Sequence, residues 1–285
     1  MSILQVRQSI IEQLTPLYGN REAMLIADML LEKIADLPKR ALLNLKTADL
    51  SPENQIALNA MLSQLLRHRP IQYVLGEAWF QNMRFYVDER VLIPRPETEE
   101  LVEWVVREEK SGLSTTILDI GSGSGCIPLS IAKKLPNAVI HSCDISMGAL
   151  EVARKNASDL GLKVNWHHID FLQEAEWLKL PKADVLVSNP PYIPQSGRSE
   201  MATHVVDYEP SMALFVPDED PMVFYEAIAR FARLHTSPGA RIYVEIHEDL
   251  AENVRECFLR SGLRKIETRK DMQGKERMIR AISGL

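Results

Sequence analysis

The chain has 285 residues, enough for one large domain or two ordinary ones and for a proper core. Its 46% hydrophobic and 25% charged residues exclude a disordered chain, a collagen-like fibre and a low-complexity tail. A net charge of −6, from 33 basic and 39 acidic residues, gives no bulk basic footprint of the kind duplex nucleic-acid binders carry. Residues 1–75 hold eight basic and seven acidic residues, and the remainder carries the excess acid as a solvated surface. The three cysteines, Cys126, Cys143 and Cys257, are scattered and make neither a disulfide framework nor a zinc motif. Free thiols fit a reducing, cytoplasmic setting. The first residues, with Arg7 and Glu12, are not expected to be a signal peptide, and no apolar run approaches the ~18 residues of a membrane span.

The first seventy residues read as helices only. Leu4, Ile10, Ile11, Leu14, Leu17 and Tyr18 recur at helical spacing. Gly19-Asn20 interrupts, then Ala23, Ile26, Met29, Leu30 and Ile34 continue to a stop at Pro38. Ser51-Pro52 starts another helix that Pro70 closes, since Ser51 can cap it and Pro52 lacks an N–H that would be unsatisfied anyway. The expectation is a bundle of four or five helices over 1–75. Residues 76–93 then alternate apolar and polar around Gln81-Asn82, which predicts a β-hairpin linker. Pro96 opens a helix to about Glu109, with acids in its first turn.

From Thr115 strands and helices alternate, which predicts a parallel sheet covered on both faces over 94–285. Strands are expected at Thr115–Asp119, Val139–Asp144, Val164–His168, Ala183–Ser188 and Arg241–Glu245. Helices are expected at Cys126–Lys134, from Ser146 to about Leu160, and from about Leu250 to Ser261. Two closing strands, Lys265–Arg269 and Arg277–Ala281, should pair antiparallel through Asp271–Lys275. The stretch Ile193–Pro221 has little regular pattern and is expected to be a flap near the substrate.

A glycine-rich loop, Gly121-Ser122-Gly123-Ser124-Gly125, follows the first of these strands, where open α/β sheets bind ligands. It is not the G-x-G-x-x-G of dinucleotide sites, and it lacks the Gly-Lys-Ser/Thr of a phosphate loop. With Asp119 it forms D-x-G-x-G-x-G, which resembles motif I of S-adenosylmethionine-dependent methyltransferases. That resemblance implies a loop backbone close to the methionine part of the cofactor and an Asp119 that binds its amino group directly or through water. Asp144, at the next strand end, can accept both ribose hydroxyls; capping the following helix is the plainer reading. Asp170 and Phe171 look like an adenine clamp, with core packing nearly as good an account of Phe171.

Asn189-Pro190-Pro191-Tyr192 makes a rigid, donor-poor corner after the fourth strand. It resembles motif IV of methyltransferases that modify a planar nitrogen. An amide NH₂ is a poor nucleophile with two donors to satisfy. The Asn189 side-chain oxygen and the Pro190 carbonyl can accept both, and Tyr192 can stack on the planar group. Catalysis would then be mostly positioning and stabilisation of developing charge, without a strong base. Asn189 is counted on the cofactor side of the site as well.

Residues along the whole chain carry a closer likeness. Pro70-Ile71-Gln72-Tyr73-Val74-Leu75-Gly76-Glu77, Phe80, Val91-Leu92-Ile93-Pro94-Arg95-Pro96-Glu97-Thr98-Glu99, Glu209-Pro210, Ala213-Leu214 and Lys270-Asp271 with Gly274 and Arg277 resemble the HemK/PrmC family. This implies a helical docking domain, a hairpin link and a seven-stranded, Rossmann-like class I methyltransferase domain. The implied reaction is transfer of a methyl group from S-adenosylmethionine, without a metal, to the glutamine N5 of the Gly-Gly-Gln motif in peptide chain release factors. The implied partner is the release factor, with no direct nucleic acid, no membrane and a monomeric chain. The sequence departs from the family at Phe215-Val216-Pro217-Asp218, where paired glycines are usual, and at His247, where glycine is usual. The rivals are an N6-adenine DNA or guanine-N2 RNA methyltransferase, which would need a basic reading domain, and a cofactor-bound adaptor without turnover, which Asn189 and Tyr192 disfavour. A nicotinamide dehydrogenase is disfavoured by the glycine spacing. His167, His168, His204, His235 and His247 fit no metal template.

Overall fold

The computed structural model describes residues 2–37, 40, 49–109 and 115–284. The chain forms two compact units, Met1–Glu77 with Ala202–Tyr208, and Ala78–Met201 with Glu209–Leu285.

The smaller unit opens with α1 (Ile3–Ala35), whose first turn is closed by a capping box between Ser2 and Gln5. Gly19, at φ +73° and ψ 161°, breaks the helix where the hydrophobic pattern breaks. The buried stripe is Ile3, Val6, Ile10, Ile11 and Leu14, so Leu4 and Leu17 of the expected apolar face point to solvent instead. The expected stop at Pro38 lies outside the described residues. Then α2 (Pro52–Leu65) begins under the Ser51 cap, whose hydroxyl accepts from the Asn54 N–H at 3.2 Å, and α3 (Ile71–Leu75) ends at left-handed Gly76.

In the larger unit, β1 (Ala78–Phe80) and β2 (Met83–Phe85) form the hairpin. Gln81 and Asn82 both take positive φ, 49° and 58°, as a tight two-residue turn requires. The hairpin is shorter than the expected 76–93: pairing ends at Phe85, and Asp88 then folds its carboxylate onto the Arg90 backbone N–H. It belongs to the larger unit rather than standing apart as a linker.

After α4 (Pro96–Glu108) the alternation begins: β3 (Thr116–Ile120), α5 (Cys126–Lys134), β4 (Val139–Asp144), α6 (Met147–Leu160), β5 (Asn165–His168) and β6 (Ala183–Ser188). Two-residue strands β7 (Ile193–Pro194) and β8 (Phe215–Val216) pair in parallel. Between them α7 (Thr203–Tyr208) packs with the smaller unit, where the Tyr208 hydroxyl donates to the Arg67 carbonyl at 2.8 Å. The chain finishes with α8 (Val223–His235), β9 (Thr236–Glu245), α9 (Ala251–Arg260), β10 (Arg264–Lys270) and β11 (Glu276–Ile282). The expectation had no α8 and began β9 at Arg241. Its first half holds only one pairing to β6 before a register shift, which is why the alternating pattern starts late.

The seven strands lie in the order β10-β11-β9-β6-β3-β4-β5. β11 runs antiparallel to both neighbours and the other pairs are parallel. Side-chain alternation splits the core. Leu118 and Ile120 of β3 meet Tyr225, Ile228 and Phe231 of α8 and Phe258 of α9. Ile117 instead joins Leu101, Trp104 and Val105 of α4 and Ile127 and Leu129 of α5. Among the described residues, no helix is long and apolar enough to cross a membrane.

Candidate active site

The connection order reverses at β3, which lies between β4 and β6, and ligands bind at such a switch point. A cavity of about 400 Å³ opens there at the carboxyl ends of the strands. Its wall includes Gly121, Ser122, Gly123, Ser124, Asp144, Asp170, Phe171, Asn189, Pro190 and Pro191. Asp119, Gly125 and Tyr192 are not among the residues that line it.

The glycine loop has two kinds of glycine. A Cβ on Gly125 (φ +81°) would stand 3.0 Å from Leu129 Cδ1 and 3.2 Å from both Ala153 Cβ and Trp166 Cη2. That glycine seats the loop on α5 and α6. Gly123 (φ +51°) has nothing within 4 Å of its would-be Cβ, so its bareness leaves room on the cavity side.

Asp144 anchors the loop. Its Oδ2 accepts from the Gly123 N–H at 2.9 Å and its Oδ1 from the Ser146 N–H at 2.8 Å. Ser146, not Asp144, caps α6 through the Ala149 N–H. Burial pushes the Asp144 pKa up, against the pull of these two N–H groups. Asp119 is fully buried: its Oδ2 accepts from the Ser142 hydroxyl at 2.5 Å, Ser142 also bonds Ser122, and the Asp119 Oδ1 has no hydrogen-bond partner among the described residues. Desolvation holds its pKa well above the usual carboxylate value. Asp170 accepts from the Leu172 N–H at 3.0 Å in a tight turn. Phe171 is both wall and core: it packs on Trp177 at 5.6 Å and on Phe231 at 5.4 Å.

At the acceptor corner the Asn189 Nδ2 donates to Thr98 Oγ1 at 3.0 Å. Thr98 donates in turn to Glu245 Oε2 at 2.6 Å. The Tyr192 hydroxyl turns inward to Glu245 Oε1 at 3.4 Å, and its ring lies 5.9 Å from His247. Burial raises the Glu245 pKa to about 7.

Several site residues carried no assigned role in the sequence reading. Asn156 is buried and braces the loop: it accepts from the Tyr86 N–H at 2.7 Å and donates to the carbonyls of Tyr86 and Ser124, each at 2.9 Å. Glu209 accepts from Arg95 at 2.6 Å and from the Ile93 N–H at 3.2 Å. The departures from the family pattern are local to the site, since Phe215, Val216 and Pro217 line the cavity and His247 faces Tyr192. An isolated polar residue inside an apolar helical stripe is the available signal for Asn156; Thr98 and Glu209 lie inside the motifs that carry the family resemblance. Among the described residues, no group of three or more His, Cys, Asp or Glu side chains is placed to hold a metal ion.

A group with an ammonium, a ribose and a flat ring fits these residues. The unpartnered Asp119 Oδ1 lacks a donor, the open side of Gly123 leaves a cradle, and the rest of the wall is mainly apolar.

A doubly wound seven-stranded sheet, with this glycine loop facing an Asn-Pro-Pro-Tyr corner, defines a class I methyltransferase. Residues 98–208 match the methyltransferase small domain, and residues 5–76 match the PrmC N-terminal domain. The chain is 36% identical to the release factor glutamine methyltransferase of Flavobacterium psychrophilum, over 98% of this chain and 99% of that protein. It is 40% identical to the enzyme of the same name from Bacteroides thetaiotaomicron, over 81% and 82%. A methyltransferase crystal structure from Pyrococcus furiosus shares the fold, with a TM-score of 0.50 at 16% identity over 80% of this chain and 100% of that one. The chain belongs to the release factor glutamine methyltransferase family.

Proposed function

We propose that this protein methylates the side-chain amide nitrogen (N5) of the glutamine in the Gly-Gly-Gln motif of peptide chain release factors, using S-adenosylmethionine. One observation carries the reading: the Asn189-Pro190-Pro191 corner and the glycine loop line the same cavity. A group held by the loop and a planar amide held by the corner would meet there.

Asp119, Gly121, Ser122, Gly123, Ser124, Asp144, Asp170 and Phe171 would hold the cofactor, with Gly125 seating the loop from behind. When bound, S-adenosylmethionine supplies an electrophilic methyl group on a sulfonium. Asn189 Oδ1 and the Pro190 carbonyl accept the two N–H groups of the substrate amide, which fixes its plane and turns its nitrogen toward the methyl. As nitrogen becomes positive, the same two acceptors stabilise it more strongly than they did the neutral amide. The extra proton is acidic after transfer and leaves to water, so no strong base is needed. Pro191 stiffens the corner, and Tyr192 supports it from behind through Glu245. The helical unit is assigned to docking the release factor. Three free cysteines suit a cytoplasmic enzyme, in the compartment where release factors act.

The test is methyl transfer from labelled S-adenosylmethionine to a purified release factor, beside the same factor with its Gly-Gly-Gln glutamine changed to alanine, and beside DNA and ribosomal RNA. Label on the unmodified factor alone is expected. Label on nucleic acid alone would move the substrate to a base amine, and none anywhere would leave a cofactor-binding adaptor.

A further inference from the structure

We propose that Thr98 and Glu245 are positioning residues that fix which end of the Asn189 amide faces the substrate. The inference rests on the reading of Asn189 as the amide clamp. It turns on hydrogen-bond polarity. An asparagine amide has an accepting end and a donating end of nearly the same shape, and only the accepting end can hold a substrate N–H. Rotation by half a turn would present Nδ2 to the substrate and set it against the one N–H of the substrate amide that Asn189 must accept, leaving only the Pro190 carbonyl to hold the other. Something must forbid that rotation.

The forbidding group is a carboxylate two steps away. Thr98 sits in the first turn of α4, Glu245 ends β9, and Asn189 follows β6, so three elements converge here. A hydroxyl has one proton. Thr98 spends it on Glu245 Oε2 at 2.6 Å, where an ionised carboxylate has no proton to return. Only lone pairs then remain on Thr98 Oγ1 toward Asn189. They demand an N–H, and Nδ2 supplies it at 3.0 Å. The Asn189 oxygen is thereby left as the end available to the cavity. The Tyr192 hydroxyl donates to the other oxygen, Oε1, so both oxygens of Glu245 act as acceptors. Thr98 and Glu245 are both about 2% exposed, which leaves little surface through which water could compete for either bond.

Protonation of Glu245 would undo the arrangement, because its acid proton could be given to Thr98 and free the threonine proton for Asn189 Oδ1. The groups around Glu245 set that balance: Glu97 and Thr98 on α4, Cys126 on α5, Tyr192, Tyr225 on α8, and Arg277 on β11. Burial and Glu97 favour the neutral acid, while Thr98, Arg277 and Tyr192 favour the carboxylate, and the pKa is raised to about 7. The clamp is therefore set above that pH and loosened below it.

The experiment compares full-length wild type with Thr98→Val, Thr98→Ser and Glu245→Gln. Measurements are kcat and KM for a release factor, cofactor affinity by calorimetry, and kcat from pH 5.5 to 9. Thr98→Val keeps the shape but loses the acceptor; kcat should fall about 100-fold with KM and cofactor affinity within about twofold, as for loss of one preorganised polar group. Thr98→Ser should restore most of the rate. Wild-type kcat should fall below a pH of about 7, set by Glu245. Glu245→Gln can still accept from Thr98, so it should keep activity within about tenfold but lose that acidic limb. A wild-type rate in Thr98→Val, or an acidic limb that survives Glu245→Gln, overturns the proposal while leaving the methyltransferase reading intact. A second measurement needs no turnover: the Asn189 side-chain NH₂ signals in ¹⁵N NMR, identified by their loss in Asn189→Asp. They should titrate with Glu245 in wild type and be displaced and pH-independent in Thr98→Val. Signals insensitive to both would overturn the inference whatever the enzyme methylates.

Discussion

Two glycines two residues apart in one loop should respond to alanine in different ways. Gly123 and Gly125 both have positive φ, +51° and +81°. Forcing an L-residue into that region costs roughly 1–2 kcal/mol at either site. At Gly125 the new methyl also meets Leu129, Ala153 and Trp166 at 3.0–3.2 Å, one residue each from α5, α6 and β5. Overpacking of this kind adds about 1–3 kcal/mol, giving roughly 2–5 kcal/mol for Gly125→Ala against roughly 1–2 for Gly123→Ala. All four tryptophans, Trp79, Trp104, Trp166 and Trp177, belong to the larger unit, so urea unfolding followed by tryptophan fluorescence reads that unit alone. Calorimetry with S-adenosylmethionine should show the opposite emphasis per unit of stability lost, because only the Gly123 methyl would project into open space at the cavity. Equal loss of stability in the two variants would refute the division into a seating glycine and a clearance glycine.

Asn189→Ala should lower kcat by about 100-fold or more while cofactor affinity measured by calorimetry stays within about twofold. Asn156→Ala removes three hydrogen bonds and strands the buried Ser124 carbonyl, so urea unfolding should show a loss of about 2–4 kcal/mol, together with weaker cofactor binding. Asp119 binds its proton more tightly folded than unfolded. Between its unfolded and folded pKa values the native state therefore carries more protons, and stability falls as pH rises through that window. Asp119→Asn should flatten that decline in unfolding measurements from pH 4.5 to 8, and should weaken cofactor binding. If hydrogen exchange finds residues 193–221 no better protected with cofactor and release factor than without, the flap assignment fails.

The elements whose side chains face both layers of the sheet were the ones legible in the sequence. β3 and β6 are short, largely apolar runs and β4 is a mixed one, each followed directly by loop residues, and their ends place Asp119, Asp144 and Asn189. The turn residues that take positive φ, Gln81 and Asn82, marked the hairpin, but the polar–apolar alternation beyond Phe85 came from a loop wrapped around Asp88 and Arg90, not from a strand. α8 was hidden because it follows an irregular stretch, although Tyr225, Ile228, Phe231 and Ala232 keep helical spacing. The relay behind Asn189 could not be read from spacing at all. Thr98 lies 91 residues before Asn189, and Glu245 lies 147 after Thr98. Nothing local distinguishes a threonine that orients an amide from one that fills the first turn of a helix.

Charge explains why this loop is not a pyrophosphate cradle, beyond the glycine spacing. A dinucleotide loop works by turning backbone N–H groups and a helix N-terminus toward an anion. Here the Gly123 and Ser146 N–H groups are already engaged by the Asp144 carboxylate. The two arginines on the wall are occupied as well: Arg90 pairs with Asp88 and Glu151, and Arg95 pairs with Glu209. The acids, by contrast, lack compensation. Among the described residues neither Asp119 nor Asp144 has an ion-pair partner within 4 Å, and burial raises the pKa of both. An anionic ligand would meet Asp144 on the wall and find both wall arginines already engaged. A ligand carrying a positively charged group would instead offset the desolvation that raises the pKa of these acids, which makes them a source of selectivity for a cation over an anion.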